Sequence, residues 1–461
     1  MGRGSHMLGG GLRCAGPTNK TRFLPHVLKG ALLSLCQRVK GAGMGTELEA
    51  RLDEFRARGL SLNMARGKPG ADQLALSMPM LDVLTSRDEL IASDGTDCGN
   101  YGGALGIPEA RSLIAAMLST TPEHVIVGGS SSLALMFQEV SRGWGLGLGG
   151  CEPWSAQEGV AFLCPSPGYD RHFKICEHFG IEMIPIELES DGPDMGRVRE
   201  LVEGDARVKG IWCVPQYANP TGITYSDSVV EEFASLEPAA ADFRIFWDNA
   251  YVVHHLYDEA AEQDHVADIL SACERAGHPD MVFEFCSTSK VTFPGAGISG
   301  LAASEANVAE IAAAMGISTI CNDKINQLRH ARFLTDADGI AAHMRKHAAL
   351  IRPKFQMVLS VLDEELKEMR DAGLASWSEP RGGYFVSFSG PSGTARRAVE
   401  LARSAGVTMT GAGATWPYGR DPRDSNVRIA PTMPPLEELE VAMRVFSTCV
   451  KIAYDEKVRG V

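Results

Sequence analysis

The sequence predicts an α/β fold in two units, a large one built on a mainly parallel central sheet covered by helices and a smaller α+β one. Between residues 100 and 335, short apolar runs typical of buried strands alternate with amphipathic helical stretches. Beyond residue 335 a long helical stretch, short strands and a final helix follow instead. On this basis the large unit covers 96–335, and the small unit combines 47–95 with 336–461.

The expected elements follow the chain in order. Buried strands are expected at 124–127, 161–164, 181–186, 210–214, 244–247 and 281–285, where apolar runs end in polar or small residues. Helices are expected at 108–118, which opens with a proline, and at 133–140, 169–179 and 226–236. The glycine-rich stretch 143–150 is expected to be a loop. In the last part, the pattern predicts a helix over 339–370, strands at 384–388 and 427–429, and a helix from 435.

Composition limits the class of protein. The 461 residues are 44% hydrophobic and 22% charged, which is ordinary for a globular chain with a large core. A net charge of -14 argues against a nucleic-acid or anionic-membrane partner, because phosphate-rich surfaces require basic patches. The eleven scattered cysteines never form Cys-x-x-Cys, so we expect no disulfide framework, no metal site and a reducing, cytoplasmic location. No run reaches the ~18 apolar residues of a membrane span.

The first 46 residues are treated separately. Gly4-Ser5-His6-Met7 resembles the remnant of an expression tag, and residues 8–46 contain basic residues but no Asp or Glu. We expect a disordered extension with Met44 as the effective start. An organellar leader is the alternative, because 23–39 has some amphipathic character.

Four residues suggest a cofactor. Lys290 lies in a Ser-Thr-Ser-Lys run, Asp248 closes the apolar strand 243–247, Tyr251 follows it, and Asn219 opens an Asn-Pro-Thr-Gly turn. A lysine amine can form a Schiff base with pyridoxal 5'-phosphate (PLP), and a carboxylate can keep the ring nitrogen protonated. Singly, each residue has an ordinary interpretation as a surface lysine, a cap or a turn residue. In this order they predict a PLP enzyme, with Asn219 and Tyr251 suited to the phenolic oxygen.

A phosphate seat and a carboxylate clamp complete the pattern. Ser130, Ser131 and Ser132 stand between a strand and a helix, where free N–H groups and the helix dipole favour an anion, although serine capping is the alternative. Arg428 lies inside an apolar strand. Buried arginines are rare unless they are paired, so Arg428 is expected to clamp a substrate carboxylate or, alternatively, to form a structural salt bridge.

The chain resembles fold-type-I PLP aminotransferases, most closely the bacterial aspartate aminotransferase branch, over about residues 47–455. The motifs that carry the resemblance are Arg66-Gly67-Lys68-Pro69, Tyr101-Gly102-Gly103-Ala104-Leu105-Gly106, Pro165-Ser166-Pro167-Gly168-Tyr169-Asp170-Arg171-His172-Phe173, Asn326-Gln327-Leu328-Arg329-His330 and Gly382-Gly383-Tyr384-Phe385.

The resemblance implies a role for each candidate residue. The catalytic set would be Lys290 as the Schiff-base lysine, Asp248 at the ring nitrogen and Tyr251. The cofactor would also contact Tyr169, Asn219, Ser130, Ser131, Ser132, Ser287 and Ser289, and Tyr101 would reach the phosphate of the neighbouring subunit in a homodimer with shared active sites. Substrate would be held by Arg428, Gly67, Asn219 and Lys324.

One position departs from the family pattern. Many relatives carry a phosphate-binding arginine eight residues after the Schiff-base lysine, where this chain has Ile298. Lys324, Arg329 or Arg332 would then have to supply the charge, either within the subunit or across a dimer interface.

The function expected from these residues is ping-pong transamination, most simply from aspartate to 2-oxoglutarate. A PLP lyase or decarboxylase stays open, because the same substrate carbanion could lose another group. A non-catalytic sensor domain fused to a DNA-binding module is disfavoured, because fewer than 50 residues precede the fold and no helix-turn-helix pattern is visible.

Overall fold

The structure is a computed structural model that describes residues 44–460, so the expectations for residues 1–43 lie outside the described part. Its helices are α1 Met44–Ala57, α2 Ala71–Ser77, α3 Pro108–Leu118, α4 Ser132–Leu146, α5 Asp170–Phe179, α6 Met195–Gly204, α7 Asp227–Ala234, α8 Ile269–Ala276, α9 Glu305–Ser318, α10 Lys324–Leu334, α11 Ala337–Asp371, α12 Ala395–Ser404 and α13 Leu436–Arg459. Its strands are β1 Leu62–Asn63, β2 Val125–Gly128, β3 Ala161–Ser166, β4 Glu182–Glu187, β5 Val208–Cys213, β6 Arg244–Asp248, β7 Val282–Ser287, β8 Ser299–Ala302, β9 Ser376–Trp377, β10 Val386–Ser389, β11 Val407–Thr408 and β12 Asn426–Ile429.

The large sheet has seven strands in the order β2-β8-β7-β6-β5-β3-β4. All its pairings are parallel except those of β8, which runs antiparallel to β2 and β7. The predicted α/β class with a mainly parallel sheet is therefore confirmed, and the six expected strands lie within two residues of their predicted bounds.

Two hydrophobic cores cover the faces of this sheet. Alternate residues of a strand point to opposite faces. Accordingly Leu163 and Ile245 join the core beneath α3 and α7, whereas Phe162, Trp212 and Phe246 join the core beneath α4 and α5. Because both faces are buried, most strands read as nearly continuous apolar runs, which is why the sequence shows them clearly; the edge strand β4 is the exception, with exposed residues at both of its ends.

A further core lies around the antiparallel sheet β12-β10-β9 and the parallel pair β1-β11. It contains Leu52 and Phe55 of α1 together with residues of α12 and α13. The long helix α11 contributes to both regions, because Met344 packs in the large-sheet core and Ile351 in the other. We propose that the chain is divided into two units because it has these separate cores. The boundary between the units would lie within α11.

One local prediction is wrong. The segment 143–150 was expected to be a loop, but α4 continues to Leu146. A Cβ atom on Gly143 would lie 2.8 Å from the Trp154 ring, so this glycine allows an indole to pack directly against the helix rather than opening a turn. Among the described residues, no helix is both long and apolar enough to cross a membrane.

Candidate active site

The sequence-predicted residues gather where strands of the large sheet end. Asp248 is the last residue of β6, Ser287 is the last of β7, and Tyr169 follows β3. Parallel strands present their carboxyl ends at one edge, which is where open α/β sheets bind ligands. Residues far apart in sequence therefore reach a common edge.

The Asp248 carboxylate is buried, and only one of its two oxygens has a hydrogen-bond partner among the described residues. Its Oδ2 atom accepts a hydrogen bond of 3.0 Å from Nε2 of His172, and the His172 ring stacks on Trp212 with centroids 4.5 Å apart. Within the described part of the chain, Oδ1 is buried and has no hydrogen-bond partner. The carboxylate is thus fixed through one oxygen and free to accept through the other.

The Lys290 amine lies against aromatic rings. Its Nζ atom is 4.8 Å from the ring centroid of Tyr251 and 5.8 Å from that of Tyr384. No hydrogen-bond or ion-pair partner for Nζ occurs among residues 44–460. Burial lowers the pKa of Lys290, and the Asp248 carboxylate opposes this effect. A lowered pKa increases the share of uncharged amine, the form that attacks an aldehyde.

The serines meet between β7 and the start of α4. The Ser289 hydroxyl donates to the backbone oxygen of Ser130 at 2.9 Å, and the Ser287 hydroxyl donates to Ser289 Oγ at 3.1 Å. Ser131 occupies the N-cap position of α4, but its side chain makes no capping hydrogen bond. The Ser131 side chain therefore does not cap α4, and the capping interpretation does not apply to it.

Arg428 is buried and partly paired. Its Nη1 atom donates to Asp170 Oδ1 at 3.0 Å and to Asn219 Oδ1 at 3.1 Å, and the guanidinium lies 4.8 Å from the Phe385 ring centroid. The buried Nε atom has no partner among the described residues. Arg428 therefore forms the salt bridge of the structural interpretation. It also keeps the unused donor that the carboxylate-clamp interpretation requires.

Gly67 makes room for this arrangement. A Cβ atom on Gly67 would lie 2.4 Å from Cζ of Phe385, the ring that supports Arg428. A larger residue would force the ring to move, so the glycine is required by close packing.

Lys324 has other contacts than those expected of a substrate ligand. Its side chain is buried, and Nζ donates to the backbone oxygens of Asn100 and Gly102 at 2.6 and 2.7 Å. It therefore holds the loop that carries Tyr101, which is 80% exposed. These contacts favour an anchoring role over direct ligand binding.

Ile298 occupies the position of the family's phosphate-binding arginine, and Arg329 and Arg332 are the remaining candidates to replace its charge. Ile298 is buried in the large-sheet core. Arg332 donates to the Glu89 carbonyl and lies 3.6 Å from Asp88. Arg329 is half-buried and has no hydrogen-bond or ion-pair partner in the described part of the chain. Of the three, Arg329 alone keeps its donors unused.

Comparison with known proteins decides the family. A family model described as "Aspartate amino-transferase" matches residues 38–461. The chain belongs to the aspartate aminotransferase family. The predicted resemblance and the prediction of a transaminase are thereby confirmed.

Named relatives agree with this family. A protein named aspartate aminotransferase from Corynebacterium glutamicum is 45% identical over 411 residues, covering 89% of this chain and 93% of that protein. The crystal structure of an aspartate transaminase from the same species has a TM-score of 0.87 and 44% identity over 92% of this chain and 97% of that one. LysN, an α-aminoadipate aminotransferase of Thermus thermophilus solved with N-(5'-phosphopyridoxyl)-L-leucine, has a TM-score of 0.67 at 18% identity, covering 87% of this chain and 95% of that one, and shares the fold.

For this aminotransferase, sequence reasoning missed three residues at the site. His172 stood inside a quoted motif, three positions after Tyr169, the N-cap residue of α5, and this helical spacing was the available signal that the two rings lie together. Asp170 and Phe385 stood inside the quoted motifs, but their contact with Arg428 depends on how distant segments meet.

Proposed function

We propose that this protein transfers the amino group of L-aspartate to 2-oxoglutarate with PLP as its cofactor. The observation that carries the proposal is the Lys290 amine, which has no partner among the described residues and has a lowered pKa beside the half-free Asp248 carboxylate. Aspartate as the donor is supported by the name of the relative from C. glutamicum.

The unused groups of the site fit PLP. We propose that Lys290 carries it covalently and that Asp248 Oδ1 faces its ring nitrogen, where a carboxylate favours the protonated form. Asn219 gives its carbonyl oxygen to Arg428, which leaves its amide N–H groups for the phenolic oxygen together with Tyr251. The ring of Tyr169 would cover the cofactor. Its phosphate would be held by Ser130, Ser131, Ser132, Ser287, Ser289, Arg329 and, from the neighbouring subunit of a homodimer, Tyr101.

Bound PLP supplies an electron sink for the bond broken at the substrate Cα. The chain supplies the proton transfer, for which Lys290 Nζ is the proposed base. Tyr251 and Tyr384 limit the space around that amine. His172 holds Asp248 through one oxygen, so the carboxylate need not reorganise when charge develops nearby.

Substrate recognition is proposed to centre on Arg428. Its unused Nε atom favours a bidentate contact with the α-carboxylate, with Asn219 and Gly67 shaping the pocket around it. Both substrates carry that group, so they would use the arginine in turn, as ping-pong kinetics require. We also propose a cytoplasmic location, because the nine described cysteines are all free thiols, as is usual in a reducing compartment.

Two experiments test the proposed cofactor attachment and reaction type. Borohydride reduction and peptide mapping should place a pyridoxyl group on Lys290, and a label on another lysine would reject the assignment. Incubation with aspartate should convert the cofactor to its amine form with release of oxaloacetate, whereas release of CO2 or ammonia would indicate a lyase or decarboxylase.

Side-chain preference is tested with aspartate, glutamate, alanine and phenylalanine. If phenylalanine is the best donor, the aspartate proposal is wrong. Lys324→Ala is expected to weaken all four alike, because the ammonium holds the loop at Asn100 and Gly102. A loss confined to aspartate and glutamate would restore Lys324 as a substrate ligand.

A further inference from the structure

The loop that carries Lys290 is held from α10 by a buried imidazole. His330 Nε2 lies 3.1 Å from Thr288 Oγ1 and 2.9 Å from Thr292 Oγ1, and Nδ1 lies 2.8 Å from the backbone oxygen of Asn326. A carbonyl can only accept, so Nδ1 carries the proton, and the single lone pair of Nε2 accepts from a threonine hydroxyl, the nearer one being that of Thr292. The two threonines lie two residues on either side of Lys290.

Two more histidines hold the same loop from α11. His343 Nε2 donates to the backbone oxygen of Val291 at 2.8 Å, and His347 Nε2 lies 3.1 Å from His343 Nε2. His347 is thus linked to the Val291 carbonyl through the His343 ring.

The proton positions on α11 are set by Gln73. Its Oε1 atom accepts from the Gly70 N–H at 3.1 Å, so its amide nitrogen must be the donor to His347 Nδ1 at 3.1 Å. The same nitrogen donates to the Tyr384 hydroxyl at 2.9 Å. Tyr384 is one of the two rings beside the Lys290 amine. The hydrogen bonds of the histidines and Gln73 therefore hold both the backbone of the Lys290 loop and a ring that flanks the amine.

We infer that His330, His343 and His347, hereafter the histidine clamp, are positioning residues for Lys290. The inference rests on the proposed function, in which the Lys290 amine is the reacting group. That amine has no polar partner of its own in the described part of the chain, so its place depends on the loop backbone and the aromatic rings. The clamp fixes groups on both sides of Lys290 from two helices, and every one of its rings is buried.

The test compares matched pairs of variants in the holoenzyme. His330→Gln and His343→Gln keep an amide near the position of Nε2, whereas His330→Leu and His343→Leu keep volume without the hydrogen bond. The leucine variants are expected to lose roughly 10- to 100-fold in kcat, the scale of misplacing a reacting group, with KM nearly unchanged. The pKa of the Lys290–cofactor absorbance should shift in the leucine variants, and glutamine should restore most of both properties.

Val361→Ala is the control for a general loss of stability, because Val361 is buried on the same helix but packs in the other core. Leucine variants that match this control in kcat, KM and absorbance pKa would overturn the inference. If they fail to fold, Thr292→Val removes only the hydroxyl that meets His330, and a folded Thr292→Val enzyme with unchanged kcat and absorbance pKa would overturn it equally. Failure of the proposed function is a separate result, since wild-type protein would then lack the borohydride label on Lys290.

Discussion

Replacing Asp170 with asparagine is predicted to tighten the binding of carboxylate substrates. Asp170 Oδ1 lies 3.0 Å from Arg428 Nη1, so one carboxylate of the chain already engages the arginine that we propose for the substrate. Asp170→Asn removes the charge and keeps an oxygen of similar position. Asn219 and Phe385 still hold the guanidinium, so its place should change little.

Two effects act in the same direction. The Arg428 side chain is 8% exposed, so without Asp170 the empty site keeps a buried cation that lacks a counter-charge. In the complex, two carboxylates on one guanidinium would lie roughly 5 Å apart and repel by about 3 kcal/mol at an effective dielectric constant of about 20. Asp170 is 27% exposed, and screening reduces this repulsion to about 1 kcal/mol. A gain of about 1.4 kcal/mol corresponds to a tenfold lower Kd.

The assay is titration of the holoenzyme with maleate, a dicarboxylate that cannot transaminate, together with thermal unfolding. Asp170→Asn should lower the Kd about tenfold, lower the Tm without ligand, and recover the Tm when maleate is saturating. Asp363→Asn is the matched control, since Asp363 pairs with Arg370 at 2.9 Å on an exposed surface and should change neither quantity. Weaker maleate binding in Asp170→Asn would refute the reasoning and show that Asp170 holds Arg428 in its productive position.

Three further predictions follow from the same contacts. Asp248→Ala should retain some cofactor but lose at least ~10²-fold in turnover, because it removes a preorganised partner of developing charge; near-normal turnover would contradict its role. Gly67→Ala puts a Cβ atom 2.4 Å from Phe385, so KM should rise for both substrates and urea unfolding should show a loss of about 1–3 kcal/mol; an unchanged KM would show that the ring can move freely. Burial lowers the pKa of His330 and His347 from 6.5 to about 4, so their contribution to stability is complete above pH 6.5 and is lost as pH falls towards 4. Urea unfolding across this range should show the decline, and His330→Gln should reduce it.

The fold was predictable where burial was uniform. Strands buried on both faces gave apolar runs, from which β2, β3, β5, β6 and β7 were found, and the partly exposed edge strand β4 was found from its remaining apolar residues. The missed strand, β8, reads Ser-Gly-Leu-Ala, which has no apolar run. Gly300 is required there because a Cβ atom would lie 2.2 Å from Ile114 of α3, and this contact joins positions that no local pattern connects.

The site residues were predictable where they stand beside a strand or helix terminus that the sequence itself indicates. Lys290, Asp248 and the serines stand at strand ends or helix starts, and these positions can be read from the sequence. The Asp170–Arg428 pair joins residues 258 positions apart, and Lys324 meets a loop 222 to 224 positions away. Their partners were therefore outside the reach of sequence patterns.

Some polar atoms of the site have hydrogen-bond partners and others have none, and this difference bears on ligand binding. His172, Asn219 and the histidine clamp have hydrogen-bond partners, whereas Asp248 Oδ1 and Arg428 Nε are buried without any among the described residues. A buried polar atom without a partner costs about 1–3 kcal/mol, so both atoms favour a ligand that supplies a hydrogen-bond partner. A cofactor and a substrate carboxylate that pair these atoms would remove that cost on binding. His172 and Asn219 hydrogen-bond the other polar atoms of these two side chains, and this is how the site holds its unused atoms in place for a ligand.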